Sequence, residues 1–177
     1  MLNDIESILI SKEELDKKLE EMGKQISEDY KGKNLLVVSV LKGAAVFMSD
    51  LIRHISIPLQ IDFMVVSSYG KEKSTSGNVK IIKDLDIDVK DYDLLIVEDI
   101  LDSGVTLSKL IKVLEERKPK SLKICSLLSK PERHQVKVPL AYLGYEVPDK
   151  FVVGYGLDFA EKYRNLPFVG ILKDEVH

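Results

Sequence analysis

The stretch that decides the fold runs from residue 94 to residue 108 and reads LLIVEDILDSGVTLS. Its first four residues are apolar, which is too short a run for a typical helix and is typical of a strand buried on both faces. We predict that this strand ends at two adjacent carboxylates, Glu98 and Asp99. A turn follows at residues 102–106, and the apolar residues recurring over 107–114 predict a helix after it.

A strand, a hydroxyl-rich turn and a helix start together predict a site for an anion. Backbone N–H groups point outward at the positive end of the helix dipole. Gly104 lets the backbone come close to a phosphate, and Ser103 and Thr106 add hydroxyl donors. Three acids beside such a cradle suit a substrate that carries phosphate, hydroxyls and a metal-bound group together. The alternative is structural: two acids end a strand and Asp102 caps the helix, as Asp often does.

The segment VEDILDSGVT, residues 97–106, resembles the motif with which type I phosphoribosyltransferases bind 5-phosphoribosyl-1-pyrophosphate. Its form is similar to that of the hypoxanthine-guanine branch of this family. The resemblance implies that the 5′-phosphate docks on the turn formed by Ser103, Gly104, Val105 and Thr106. It implies that Glu98 and Asp99 engage the ribose hydroxyls, directly or through Mg²⁺. It also implies that Asp102 accepts the proton of purine N7 as general base. Val105 stands where some relatives carry a lysine, so we expect the phosphate to rely more on N–H groups and hydroxyls.

The composition is that of one soluble globular domain, which we place over residues 1–177. Acidic residues number 29 against 26 basic ones, and the net charge of -3 argues against nucleic-acid or acidic-membrane binding. No apolar run approaches the roughly 20 residues of a membrane span. The N-terminus has no basic n-region of a signal peptide. We therefore expect a cytoplasmic protein with no nucleic-acid and no membrane partner.

Strands and helices alternate along the chain, which predicts an α/β fold with a mostly parallel sheet flanked by helices. Ser11 and Glu14 form a capping box ahead of the first helix. Cys125 lies in a predicted strand, where we expect a small core residue and not a nucleophile. The resemblance implies the type I phosphoribosyltransferase fold, with a small hood formed by the N- and C-terminal segments. The predicted strands cover residues 34–41, 59–67, 94–98, 122–128, 140–143 and 151–155.

Two further segments resemble loops of the same family. Residues 69–80 are polar and lack an apolar period, so from the sequence alone they predict an exposed connection. The resemblance implies a loop that closes over the active site and begins with the pair Ser68 and Tyr69. Lys42 and Gly43 resemble the pyrophosphate loop, in which the peptide before the lysine is often cis. Without the resemblance, Lys42 is equally well a surface lysine.

The C-terminal part of the chain resembles the purine-binding part of the family. Lys130 corresponds to the lysine that donates to the exocyclic oxygen of a 6-oxopurine, although alone it would be a solvated lysine. From the block FVVGYGLDFAEKYRNL, the resemblance implies that Phe151 stacks on the base and that Val152 meets its edge through the backbone. Asp158 then lies at the purine site and binds magnesium, and Arg164 binds pyrophosphate. The expected metal ligands are thus Glu98, Asp99 and Asp158.

Together these implications predict an enzyme that uses Mg²⁺, phosphoribosyl pyrophosphate and a 6-oxopurine base. The expected reaction gives inosine or guanosine monophosphate, and we expect a homo-oligomer of two or four chains. One alternative is a regulatory protein on the same fold that binds a nucleotide, although such proteins usually need a basic face or an added DNA-binding module. Another is a transferase directed to xanthine or to pyrimidines, and the matches at Lys130 and Phe151 disfavour pyrimidines.

Overall fold

The computed structural model describes residues 1–67 and 79–177. In these ranges the chain forms a larger sheet with helices on both faces and a smaller sheet beside it. The helices are α1 (Lys12–Asp29), α2 (Ala44–Leu51) and α3 (Val105–Glu116). The strands, numbered along the chain, are β1 (Ile5–Ile10), β2 (Leu35–Val40), β3 (Leu59–Ser67), β4 (Lys80–Lys83), β5 (Asp93–Leu101), β6 (Ser121–Ser129), β7 (Tyr142–Glu146), β8 (Val152–Val153) and β9 (Val169–Leu172). Short 3₁₀ turns occur at Leu2–Asp4, Ile52–His54, Val89–Asp91, Pro131–Arg133 and Asp174–Val176.

The larger sheet has the strand order β4-β3-β2-β5-β6-β7. Every neighbouring pair in it is parallel except β3 and β4, which are antiparallel. The central strands β2 and β5 are apolar and buried on both faces, because successive side chains of a strand point to opposite sides. Leu95 and Val97 face α1 and α2, whereas Leu94 and Ile96 face α3. The predicted mostly parallel α/β sheet is confirmed.

Helix α1 begins at the predicted capping box. The Ser11 hydroxyl accepts from the Glu14 N–H, and the Glu14 carboxylate accepts from the Ser11 N–H at 2.8 Å. The predicted stripe of α1 is buried against the sheet and consists of Leu15, Leu19, Met22 and Ile26. None of the helices in the described ranges is both long enough and apolar enough to span a membrane.

The smaller sheet forms the expected hood from the two ends of the chain. Its order is β1-β9-β8 and its pairs are antiparallel. The prediction that 151–155 is a strand of the parallel sheet is therefore wrong. Val152 and Val153 pair with β9 instead, and Gly154, with a φ of 95°, ends the strand after them. That residues 1–177 form one domain stays a prediction.

Strand β5 is longer than predicted, because it continues through the two carboxylates to Leu101. Its pairing with β2 stops at Val97, whereas its pairing with β6 continues through Glu98 to Leu101. The last four residues of β5 thus extend past the edge of β2. Their side chains border the space beyond the carboxyl end of β2, which is where parallel sheets bind ligands.

Candidate active site

The turn between β5 and α3 is shaped by one glycine. Gly104 precedes α3 with a φ of 79°, in the left-handed region that favours glycine. A Cβ at this position would lie 2.8 Å from the carbonyl oxygen of Val136. The N–H groups of Gln135 and Val136 donate to the Ser103 carbonyl at 2.9 and 3.2 Å, and the Ser103 hydroxyl accepts from the Val105 N–H at 3.3 Å. Hydrogen bonds from residues 135–136 and from Val105 therefore stabilise the turn.

This turn opens into a cavity of about 230 Å³. Five of the predicted site residues line it together: Glu98, Asp102, Ser103, Gly104 and Thr106. Val105, predicted with them, is the first residue of α3. The start of α3 thus faces a cavity that carries hydroxyl groups on one side and carboxylates on the other. Such a cavity can hold a phosphate on the helix start and hydroxyls beside the acids.

The two carboxylates near the end of β5, Glu98 and Asp99, are adjacent in the chain and half-buried. Burial raises the pKa of Glu98 well above its ordinary value, and the neighbouring charge of Asp99 raises it further. Burial also raises the pKa of Asp99, while the Ile100 N–H, which donates to Asp99 at 2.7 Å, acts in the opposite direction. A cation placed between these groups and a substrate would favour their charged forms.

Asp99 is packed directly against the Lys42–Gly43 loop. A Cβ on Gly43 would lie 1.8 Å from Oδ2 of Asp99, so a larger residue there would displace the carboxylate or the loop. Gly156 comes equally close from the other side, since its Cβ would lie 2.2 Å from the carbonyl oxygen of Gly43. The Leu41–Lys42 peptide is cis. The structure thus places the loop between β5 and the C-terminal block.

Arg164 forms ion pairs with Asp158, a predicted metal ligand, and with Glu161. Its Nη2 lies 3.1 Å from Oδ1 of Asp158 and 3.3 Å from Oε1 of Glu161, and its Nη1 donates to the Gly156 carbonyl at 2.7 Å. Glu161 also pairs with Nζ of Lys42 at 3.2 Å. Those two hydrogen bonds, first from Lys42 and then from Arg164, lower the pKa of the Glu161 carboxyl. Glu161 therefore links the two basic residues that were predicted to bind pyrophosphate.

The predicted metal ligands are Glu98, Asp99 and Asp158, and their donor atoms are all carboxylate oxygens. Burial is the main cause that raises the pKa of Asp99, and the charge of Asp158 adds to it. Across residues 1–67 and 79–177, no three His, Cys, Asp or Glu side chains converge to hold a metal ion. Oxygen donors of this kind fit Mg²⁺, which usually takes one or two protein carboxylates and completes its shell with water and substrate phosphates. The magnesium ion stays a prediction.

Lys130 and Asp102 directly follow the neighbouring strands β6 and β5. The residues before them, Ser129 and Leu101, are paired between β6 and β5, and the Lys130 N–H donates to the Leu101 carbonyl at 2.9 Å. Lys130 is only 8% exposed, which argues against a freely solvated lysine. The structure thereby brings the predicted general base and the predicted donor to a 6-oxopurine to one corner of the site.

Phe151 and Val152 form the hood side of the predicted purine site. Val152 is buried in β8, while Phe151 precedes that strand and is 37% exposed. An exposed aromatic ring is suited to stack on a planar base. The predicted lid residues Ser68 and Tyr69 lie outside the described residues.

Three residues at the site were not predicted from the sequence. Arg133 places its Nε 2.5 Å from Oδ1 of Asp102 and its Nη1 3.4 Å from Oδ1 of Asp149. Glu161 pairs with Lys42 and Arg164, as described above, and His177 stacks on Phe151. Glu161 lies inside the C-terminal block and could have been singled out as a charged residue near Asp158. Arg133 and His177 carry no sequence signal, because only the folded chain brings them to the site.

A family model for the phosphoribosyl transferase domain matches residues 7–160. The chain belongs to the phosphoribosyltransferase family. The hypoxanthine-guanine phosphoribosyltransferase of Bacillus subtilis is 53% identical to this phosphoribosyltransferase over 177 residues, which is 100% of the chain and 98% of the relative. The hypoxanthine phosphoribosyltransferase of Escherichia coli is 49% identical over 172 residues, covering 95% of the chain and 97% of the relative. A bifunctional protein TilS/HprT of Listeria monocytogenes is 52% identical over 177 residues, and the chain spans 27% of its length.

Solved structures of the same family also superpose on the chain. A hypoxanthine phosphoribosyltransferase from Staphylococcus aureus superposes with a TM-score of 0.96 at 48% identity, over 100% of this phosphoribosyltransferase and 96% of that chain. A substrate complex of a hypoxanthine phosphoribosyltransferase variant from Trypanosoma cruzi superposes with a TM-score of 0.93 at 36% identity, over 98% of both chains. The expected type I phosphoribosyltransferase fold is thereby confirmed, as is the resemblance to the hypoxanthine-guanine branch.

Proposed function

We propose that the protein transfers the 5-phosphoribosyl group from phosphoribosyl pyrophosphate to hypoxanthine or guanine. The products are inosine or guanosine monophosphate and pyrophosphate, so the reaction salvages free purine bases. The observation that carries this proposal is the cavity in which Glu98, Asp102 and the Ser103–Thr106 turn meet, with Lys130 beside Asp102. The names of the full-length relatives support the same substrates.

The 5′-phosphate of the donor substrate docks on the turn before α3. The N–H groups at the helix start donate to the phosphate oxygens, and the hydroxyls of Ser103 and Thr106 add further hydrogen bonds. The ribose then occupies the cavity that Glu98 lines. Its hydroxyls are directed toward Glu98 and the adjacent Asp99. These two acids bind the hydroxyls and give a negative environment to the cation-like ribose that forms during transfer.

Pyrophosphate leaves from C1 of the ribose next to the Lys42–Gly43 loop. Lys42 and Arg164 neutralise the charge that builds up on the leaving group. Glu161 pairs with both basic side chains and thereby holds them near each other. Bound Mg²⁺ would add charge neutralisation at the pyrophosphate and would be held by Glu98, Asp99 and Asp158. The N–H groups of the loop hold the pyrophosphate in the orientation needed for departure.

Asp102 accepts the proton of purine N7 while N9 attacks C1 of the ribose. One oxygen of its carboxylate, Oδ1, faces the Arg133 guanidinium. Oδ2 therefore stays available to receive the proton. A carboxylate in this position can act as general base and contributes typically about 10²–10⁴-fold to the rate.

Lys130 selects the base through its charge. Its ammonium group can only donate, so it fits the oxygen at C6 of hypoxanthine or guanine and opposes the amino group of adenine. Phe151 stacks on the face of the base, and the backbone of Val152 meets its edge. These contacts therefore favour 6-oxopurines over adenine.

Steady-state assays test this function directly. Phosphoribosyl pyrophosphate is supplied with hypoxanthine, guanine, xanthine, adenine or uracil, and nucleotide formation is measured for each base. We expect efficient turnover of hypoxanthine and guanine. Turnover of uracil in place of both would identify a pyrimidine-directed transferase. No turnover with any base would favour a nucleotide-binding regulator on the same fold.

We also propose that the protein is a cytoplasmic homo-oligomer of two or four chains. The proposed location rests on the composition, in which 29 acidic residues nearly balance 26 basic ones. The proposed assembly rests on the family resemblance. Light scattering coupled to size-exclusion chromatography measures the mass, which should be two or four times the 20.0 kDa of one chain. A monomer at micromolar concentration would contradict the proposed assembly.

A further inference from the structure

Phe151 belongs to a cluster of three aromatic rings that includes His177. The His177 imidazole is stacked on the Phe151 ring, with 4.7 Å between ring centroids and an interplanar angle of 26°. Phe159 contacts Phe151 edge-on, at 5.5 Å and 84°. Phe159 also meets His177 edge-on at 6.4 Å. These distances and angles are the favourable ones for aromatic pairs.

His177 is held in place by the segment that precedes it. The Lys173 N–H donates to the Asp4 carbonyl at 3.0 Å, which ties the segment to the start of the chain. Val176 packs against the buried hydrophobic residues of the hood, and the His177 side chain is 27% exposed. Its Nε2 lies 3.6 Å from Oδ1 of Asp174. The imidazole is thus a fixed part of the hood surface.

The contact leaves one face of Phe151 for a ligand. An aromatic ring has two faces, and the His177 imidazole covers one of them. Phe159 meets the Phe151 ring edge-on and covers neither face. Phe151 nevertheless remains 37% exposed, and neither His177 nor Phe159 stacks on its second face, which is the face we assign to the base. A base stacked there would complete a three-layer stack of imidazole, phenyl ring and purine.

We propose that His177 is a positioning residue for the purine base and acts through Phe151. This inference rests on the proposed function, in which Phe151 stacks on the base. The imidazole restricts the rotamers of Phe151 before the base arrives, so less side-chain freedom is lost on binding. The effect concerns base binding and leaves the donor substrate and the chemical step unchanged.

The test compares three variants of the protein. His177→Ala removes the ring, His177→Phe keeps an aromatic ring without the imidazole, and His54→Ala is the control at an exposed histidine outside this cluster. Ordering one side chain on binding costs about 0.5–1.5 kcal/mol, which corresponds to a rise of roughly two- to twelvefold in KM for hypoxanthine. We expect this rise for His177→Ala, with kcat and the KM for phosphoribosyl pyrophosphate unchanged. His177→Phe restores the wild-type KM, and His54→Ala does not alter it.

Phe151→Ala distinguishes a failure of the proposed role of His177 from a failure of the proposed base site. If it weakens hypoxanthine binding while His177→Ala leaves KM at the wild-type value or lowers it, the role of His177 is overturned and the proposed base site stands. If Phe151→Ala itself leaves the base KM unchanged, Phe151 does not hold the base and the inference falls with it. A wild-type protein that transfers no phosphoribosyl group to hypoxanthine overturns the proposed function and, with it, the role of His177.

Discussion

Nε of Arg133 lies 2.5 Å from Oδ1 of Asp102, so the proposed general base is paired with a positive charge. Attraction by Asp102 is the main cause that raises the pKa of the Arg133 guanidinium. The pair is half-exposed, so it adds little to stability. Its importance lies in orientation: Arg133 contacts one carboxylate oxygen of Asp102, and the other is the oxygen that we propose accepts the proton.

Asp102→Asn keeps the size and shape of this side chain but removes the proton acceptor. We expect kcat for hypoxanthine to fall about 10²–10⁴-fold, while phosphoribosyl pyrophosphate still binds. Asp149→Asn removes the other carboxylate that contacts Arg133 and serves as the matched control, with near wild-type kcat. Near wild-type turnover by Asp102→Asn would show that another group is the base.

Gly43→Ala places a methyl group where Oδ2 of Asp99 now lies, at a distance of 1.8 Å. Either the carboxylate or the pyrophosphate loop must move, and a displacement of about 1 Å in an active site can cost about 10²-fold in rate. We expect a loss of at least that size in kcat/KM for phosphoribosyl pyrophosphate. Gly32→Ala is the control, since a Cβ at Gly32 meets nothing within 4 Å, although its φ of 76° disfavours alanine. That variant should lose stability but retain activity. Equal activities of the two variants would exclude a role for the close approach of Gly43 to Asp99.

Removal of divalent cations by a chelator should abolish transfer, and added Mg²⁺ should restore it, because carboxylates and pyrophosphate together form its expected shell. Asp158→Ala should raise the Mg²⁺ concentration needed for half-maximal rate. Arg164→Ala should instead weaken pyrophosphate in the reverse reaction, measured as its KM. Full activity in excess chelator would exclude the proposed role of the metal.

Lys130→Ala tests base choice. The variant should lose kcat/KM for hypoxanthine and guanine, and the preference for these bases over adenine should narrow, with the affinity for phosphoribosyl pyrophosphate largely intact. In the wild type, the opposed donors should disfavour adenine by about 10⁴-fold or more, as in other sites built around one hydrogen bond. Lys150→Ala changes an exposed lysine next to Phe151 and provides the matched control. Wild-type kcat/KM for hypoxanthine in Lys130→Ala would show that Lys130 is not the specificity residue.

The sequence predicted the parts of the fold that local patterns encode. The buried runs of β2, β3, β5 and β6 and the capping box of α1 were found because their apolar period or cap chemistry is local. Strands β1, β4 and β9 were missed because they carry weak patterns: β1 and β4 are partly exposed, and β9 is buried but has only four residues, one of them Gly170. The end of β5 was misplaced because the length of a strand depends on which neighbour it pairs with, and β6 outlasts β2.

The site shows the same division between local and long-range information. The turn before α3 was predicted because strand, acids, glycine and hydroxyls follow one another in the chain, although α3 begins at Val105, inside the predicted turn. The roles assigned to Lys42, Lys130 and Arg164 came from the family resemblance, and the structure places these residues around the cavity end of the sheet. The contacts of Arg133 with Asp102 and of His177 with Phe151 could not be predicted, because they join segments 31 and 26 residues apart whose relative placement is set by the fold.

The measurement that tests the central claim most directly is the stoichiometry of products formed from hypoxanthine and phosphoribosyl pyrophosphate by the purified protein with Mg²⁺. The account predicts that inosine monophosphate and pyrophosphate appear in equal amounts, each matching the hypoxanthine consumed. Release of pyrophosphate without nucleotide would show hydrolysis of the donor, and the absence of both products would show that this cavity does not carry out phosphoribosyl transfer to a 6-oxopurine. Either result would contradict the account.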